Sequence, residues 1–433
     1  MKHKLLITIG AAFLLNSTLA QQSRTLTLKD AVSLTLGYNK TLKTNQVKIE
    51  QAAAAVQEAY EKKLPEAGVS GSYLYLPFEP NITMKNSSSS GGGPKVNQVV
   101  YGMANVSVPV YTANRLQYGI ESAKYLEQAV KLSADNDKEQ IMLNTVNACI
   151  NLYKAYTAIG LVKENLETAK QRVKDFTNLE KNGLLARNDL MKAELQASNV
   201  ELALLDAETN YKLASVNMNL MMGLPEQTEL VPDKSGLALP SDVKTLDDYE
   251  TDALKNRKDI NALSYREKAA GLGIKSAKTG YYPSVALTGG YVAADIPKFL
   301  SVVNAVNIGV GVKYDIASLW KTKTKIQQAK LNVQEIKLGE EALSDNIKLQ
   351  VNQAYQNFLL SRKKIEVYNK AVEQATENYR ITKNKYDNSL ATTQELLDAD
   401  VALLQTKLSV TNAQADSFLA YNKLLQVTGT INY

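Results

Sequence analysis

Residues 345–390 read DNIKLQVNQAYQNFLLSRKKIEVYNKAVEQATENYRITKNKYDNSL. Within them Ile347, Val351, Ala354, Phe358, Ser361, Ile365, Tyr368, Val372, Ala375, Tyr379, Thr382 and Tyr386 follow one another at steps of four and three. A repeat of 3.5 residues sustained this long predicts a helix that supercoils against partner helices. Asn, Gln, Lys and Glu fill the positions between, so the faces away from the seam are wet.

The same phase recurs 206 residues earlier in Leu152, Ala155, Ile159, Val162, Leu166, Ala169, Val173 and Phe176. The helices that follow agree. Leu190, Ala193, Ala197, Val200, Leu204, Ala207, Tyr211, Ala214, Met218 and Met221 match Leu396 through Val427. Upstream the offset becomes 218, with Leu36 matching Leu254 and Pro65 matching Pro283. The chain is therefore one unit written twice. We divide it into a leader at 1–20, a first repeat at 21–223, a Pro-bearing linker at 224–245 and a second repeat at 246–433.

Each repeat changes period in the same order. The first reads as helix Thr27–Leu64, a hairpin within 67–111, long helix Ala113–Lys181 and helix Arg187–Met222. The second reads as helix Leu246–Tyr282, a hairpin within 284–315, long helix Ser318–Asp387 and helix Thr392–Val427. Turns at Asn182-Gly183 and Asn388-Ser389 separate the last two helices of each repeat. A long helix beside two stacked shorter ones predicts a rod or tube rather than a globule.

The hairpins alternate. Val306, Ile308, Val310, Val312 and Tyr314 share a face opposite Asn307, Gly309, Gly311, Lys313 and Asp315. Val100, Ala104, Val106, Val108 and Val110 do the same, as do Val285, Leu287, Tyr291 and Ala293. Strands of about ten residues with this dyad pattern and aromatic ends fit a membrane barrel; a half-buried soluble hairpin gives the same alternation. In lipid four strands leave open edges, so other copies of the chain must complete the sheet. Three copies give twelve strands and room for a pore. The expected fold is mainly α, a long antiparallel coiled-coil helical barrel. Each chain adds four transmembrane strands to a 12-stranded barrel closed in a homotrimer.

Composition narrows the chemistry. Lys2 and Lys4 precede a short apolar run, Leu5 to Leu15, and Ala20 is a plausible cleavage site, which together read as a secretion signal. Losing those lysines brings the formal charge from +6 to +4, too mild to imply nucleic acid. The single histidine, His3, lies in the leader. The mature chain thus lacks every Ser-His, Cys-His and His-metal mechanism. Cys149 is alone and cannot form an intramolecular disulfide. No enzyme activity, metal or cofactor is expected. Trp320 reads as an interfacial or junction residue, and the Ser87–Gly93 run as an outward loop beside the chance sequon at Asn86.

With duplicated helix, hairpin and long helix, and with the turns Asn182-Gly183-Leu184-Leu185-Ala186-Arg187-Asn188-Asp189-Leu190 and Tyr386-Asp387-Asn388-Ser389-Leu390-Ala391-Thr392-Thr393-Gln394-Glu395-Leu396-Leu397-Asp398-Ala399, the chain resembles the TolC-like outer-membrane efflux proteins over nearly all its mature length. The resemblance implies a homotrimeric exit duct of a tripartite pump or type I secretion system, seated in outer-membrane lipid. Its helical part would stand in the periplasm, docked by a periplasmic adaptor that links it to an inner-membrane pump. It implies that Glu395 and Asp398 ring the closed aperture. It gives Asp189 and Tyr386 to the polar links that hold the tip shut, and Gly183, Leu184, Ser389 and Leu390 to adaptor docking. Ala391 stands where the best-known members have a basic residue, so Arg187 or a nearby lysine substitutes, or this tip is held differently. Acids in a helix's first turn also suit its dipole with no further role. The rival reading of the whole chain is a periplasmic coiled-coil scaffold or adhesin stalk with soluble hairpins.

Overall fold

A computed structural model describes residues 24–78, 80, 96–233, 238–240, 243–297 and 300–433. The leader, Asn86 and the Ser87–Gly93 run lie outside the described residues. In chain order the elements are β1 (Arg24–Leu26), α1 (Leu28–Tyr38), α2 (Lys40–Glu61), β2 (Glu66–Tyr75), β3 (Gln98–Tyr111), α3 (Arg115–Lys181), α4 (Arg187–Met222), β4 (Leu230–Pro232), α5 (Leu246–Asn256), α6 (Lys258–Lys278), β5 (Ser284–Ile296), β6 (Leu300–Lys313), α7 (Ser318–Asp387) and α8 (Thr393–Val427). The chain is mostly helical. Its residues form two compact units, and each takes segments from both sequence repeats.

The first unit comprises Met1–Asn45, Ala134–Lys258 and Leu343–Tyr433. Its core follows the heptads. The seam residues from Ile347 to Ser361 are buried and those from Ile365 to Tyr386 half-buried, with Ile347, Val351 and Phe358 fully buried. Each such side chain contributes about 1.5–3 kcal/mol when buried. Val162, Leu166 and Val200 form one cluster with Leu204 and Leu404, joining α3, α4 and α8. Phe176, Leu190 and Ala193 form another, with Tyr386 of α7 against it.

Two helices expected to be continuous are broken. Thr27–Leu64 divides at Asn39, whose side chain accepts from the backbone N–H groups of Thr41 and Leu42 and so caps α2. Leu246–Tyr282 divides at Arg257, which is 218 residues further on and donates to Gln350 Oε1 at 2.7 Å. Tertiary packing explains both breaks. A Cβ on Gly223 would lie 2.3 Å from the Tyr38 ring, and one on Gly429 would lie 3.0 Å from the Arg257 backbone nitrogen. The end of each return helix thus presses on the break in the same repeat. The linker also holds a strand that the sequence did not announce, since β4 pairs in parallel with β1. At three residues each, neither strand is long enough to show alternation.

The second unit comprises Gln46–Ser133 and Asp259–Ala342. Its four strands form one antiparallel sheet in the order β2-β3-β5-β6, so the two hairpins join through β3 and β5. The register sets Val69 against Ala104, Ala104 against Tyr291, and Tyr291 against Val306. Because strand side chains alternate, this places the apolar sets of all four strands on a single face. Nothing among the described residues covers it: Val306, Ile308, Val310 and Val312 are 66–83% exposed. A bulge between Val292 and Ala294 is accommodated by Asn304 at φ 61°, whose backbone N–H donates to Tyr291 Oη. The long helix expected from Ala113 starts at Arg115, because Ala113 and Asn114 both adopt left-handed backbone. Among the described residues no helix is long and apolar enough to cross a membrane.

Candidate functional site

The turns at the ends of the long helices are built alike. At the end of α3, Gly183 takes φ 69°, the Leu184 N–H donates to Leu179 O and the Gly183 N–H donates to Glu180 O. At the end of α7, Ser389 takes φ 58°, the Leu390 N–H donates to Lys385 O and the Ser389 N–H donates to Tyr386 O. These paired bonds satisfy the last carbonyls of each helix and reverse the chain. Such a turn usually packs its following apolar residue back on the helix. Here Leu184 and Leu390 are 74% and 76% exposed instead.

The acids expected at the aperture are placed as follows. Glu395 closes a capping box at the start of α8: its Oε2 accepts from the Thr392 N–H at 2.6 Å and from Thr392 Oγ1 at 2.9 Å. Those hydrogen bonds hold its carboxyl below the usual carboxylate range. Asp398 accepts from Gln394 at 2.7 Å. Both acids are exposed. Asp189 pairs with Lys192 at 3.0 Å and Arg187 with Glu180 at 3.9 Å. Arg187 therefore has a partner on α3 rather than on α8. Tyr386 stacks on Phe176 with ring centroids 5.7 Å apart. The fold gathers the two turns' residues into local contacts; within this single chain it does not bring Asp189 to Glu395 or Asp398.

A cluster the sequence reading missed lies a few turns from the helix ends. Arg172 Nη1 of α3 donates to Asp400 Oδ2 of α8 at 2.8 Å. Its Nη2 donates to Tyr379 Oη of α7 at 3.2 Å, and Asn165 Nδ2 donates to Asp400 Oδ1 at 3.1 Å. Side chains from both repeats thus meet on one carboxylate, with 9% and 6% of the Arg172 and Asp400 side chains exposed. The signal was present. Asn165, Ala169, Arg172 and Phe176 step four, three, four, and Leu397, Asp400 and Leu404 step three, four. Arg172 thus lies beside the α3 seam and Asp400 beside the α8 seam, each a charge at a spacing where an apolar residue is the rule. Among the described residues no group of His, Cys, Asp and Glu could hold a metal ion.

Seamed helical hairpins and an antiparallel sheet with a bare apolar face are features in which this chain is similar to outer-membrane efflux channels. Residues 251–430, which include the second turn, match the family model described as outer membrane efflux protein. A curated relative is the outer membrane efflux protein BepC of Brucella suis, 21% identical over 93% of this chain and 90% of that protein. Among solved structures, VceC of Vibrio cholerae aligns with a TM-score of 0.74 at 18% identity, covering 93% of this chain and 96% of that one. The CmeC outer membrane channel of Campylobacter jejuni aligns at 0.76 and 18% identity, covering 93% and 85%. At these identities the structural likeness establishes the fold.

Proposed function

We propose that three copies of this chain form an outer-membrane exit duct, a passive conduit with no catalysis of its own. The observation that carries the reading is the sheet. Among the described residues one face is apolar and bare, and both edge strands, β2 and β6, have an unpaired outer edge. Water does not favour that face, and lipid does not tolerate those edges. Edge joined to edge in three copies gives twelve strands and disposes of both problems. The helices support the same reading. Leu195, Leu202, Leu205, Leu213 and Leu220 make a second, exposed stripe along α4, and Leu349, Leu360 and Val367 make one along α7. These are seams without a partner in this chain. Mass measurement of the detergent-extracted protein tests the reading, with a trimer expected. A monomer with intact strands, or release from cells without detergent, favours the periplasmic scaffold instead.

In this reading the duct lies in the outer membrane with its helices in the periplasm. The exposed Leu184 and Leu390, with Gly183 and Ser389 setting their turns, dock the periplasmic adaptor, and an inner-membrane pump supplies the energy. Glu395 and Asp398 face the axis and, repeated in three chains, attract multivalent cations at the closed tip. Asp189 and Tyr386 help hold it closed. A relative named as an efflux protein supports export as the direction of transport. Single-channel recording tests the gate: replacing Glu395 and Asp398 by Ala should relieve cation block. An unchanged block would leave these acids as first-turn helix residues only.

A further inference from the structure

The start of α7 combines features that packing does not explain. Lys321, Lys323, Lys325 and Lys330 occur with no acid between Asp315 and Glu335. All four are exposed, and none takes part in an ion pair or hydrogen bond among the described residues. Cations in the first turns of a helix oppose its positive end. The equivalent positions of the first repeat are Arg115, Gln117, Gly119 and Lys124, with Glu121 among them, so the helical architecture does not demand this charge. Lys124, moreover, lies over the Tyr60 ring. Apolar side chains stand among the lysines: Ile316, Leu319 and Trp320 are 66%, 55% and 63% exposed. The buried side of the segment is Ser318 and Thr322, the latter close against Gly280. Only four residues separate the end of β6, with its bare apolar face, from α7.

We propose that this segment binds the headgroups of anionic phospholipids where the apolar face ends. Trp320 and Leu319 would sit at the headgroup level, as amphipathic rings do. The lysine stems would lie along the acyl boundary with their ammonium groups on phosphate. A basic segment beside a membrane gains about fivefold in affinity per lysine from anionic lipid. A soluble anion would use the lysines but gives no role to the exposed Ile316, Leu319 and Trp320. The proposal rests on the reading of the sheet as membrane-embedded.

Trp320 is the chain's only tryptophan, so its emission reports this site alone. The full-length protein is reconstituted in phosphatidylcholine vesicles containing phosphatidylglycerol, with bromine on one lipid or the other. Brominated phosphatidylglycerol should quench Trp320 as though enriched there on the order of tenfold over its bulk share. Lys321→Gln/Lys323→Gln/Lys325→Gln should remove that enrichment, and the corresponding triple Arg variant should keep it, which guards against a folding defect. Equal quenching by the two lipids overturns the proposal and leaves the membrane reading standing. No quenching by either overturns the membrane reading itself. Enrichment that survives the Gln variant, or that excess inorganic phosphate abolishes, also overturns the assignment to these lysines and to lipid.

Discussion

Removing the Asp400 carboxylate isolates what the Arg172 cluster does. In Asp400→Ala the Arg172 guanidinium loses its 2.8 Å partner and Asn165 loses its acceptor, and both are left in a shielded site. With 9% and 6% of the two side chains exposed, the pair belongs to the buried regime, not to the surface regime of 0–1 kcal/mol. Breaking such a pair costs about 3–5 kcal/mol, chiefly the burden of the unpaired charge. Asp400→Asn keeps one acceptor oxygen for Arg172 and sets a donating amide against Asn165, and it loses the charge, so about 1.5–3 kcal/mol is expected. Replacing both members, Arg172→Met with Asp400→Leu, removes the orphan and should recover most of the loss. The assay is urea unfolding of the detergent-purified protein, followed by helical circular dichroism. If Asp400→Ala stays within about 0.5 kcal/mol of the parent, the site is effectively solvated. If the double variant is worse than the single one, packing rather than charge is at stake. Either result refutes the reasoning.

Other outcomes follow from single residues. Ser389→Gly should stabilise the α7–α8 turn by about 1 kcal/mol, because only glycine takes φ 58° without strain; Gly183→Val should do the reverse, and unfolding midpoints read both. Glu395 has a depressed carboxyl in the folded state, so its capping contribution is complete above the unfolded value and is lost as pH falls through the folded one; amide protection factors in the first turn of α8, corrected for the intrinsic pH dependence of exchange, should fall on acidification, and not in Glu395→Gln. Burial pushes the Cys149 thiol up to about 12, so alkylation at pH 8 should be slow in the native protein and fast after unfolding. Gly223→Ala should weaken the first unit measurably, since the Tyr38 ring must move to admit a methyl group.

The heptads made most of the helical fold legible, because a seam repeated over ten turns has one solution. The bounds of α4 and α7 agree with the periodicity to the residue. What the pattern could not show was decided by contacts distant in sequence. Nothing around Arg257 resembles a helix stop; the break there answers to Gly429, far along the chain. The pair β1 and β4 is too short to have a period. At the turns, the acids were visible as a type and a spacing, but their partners were not: Thr392 engages Glu395 as a cap. Asp400, by contrast, is buried and paired across the repeats. A charge at seam spacing was the better clue.

The strand order has a consequence for counting. With four antiparallel strands, edge β6 of one copy meets edge β2 of the next running the opposite way, whether two, three or four copies close the ring. Ladder hydrogen bonds are therefore satisfied at every copy number and cannot select one. The number must be written elsewhere, and the exposed leucine stripes on α4 and α7 are where this chain has room to write it. If the proposed duct forms, reshaping those stripes, with the strands untouched, is thus the change most able to alter how many chains make one pore.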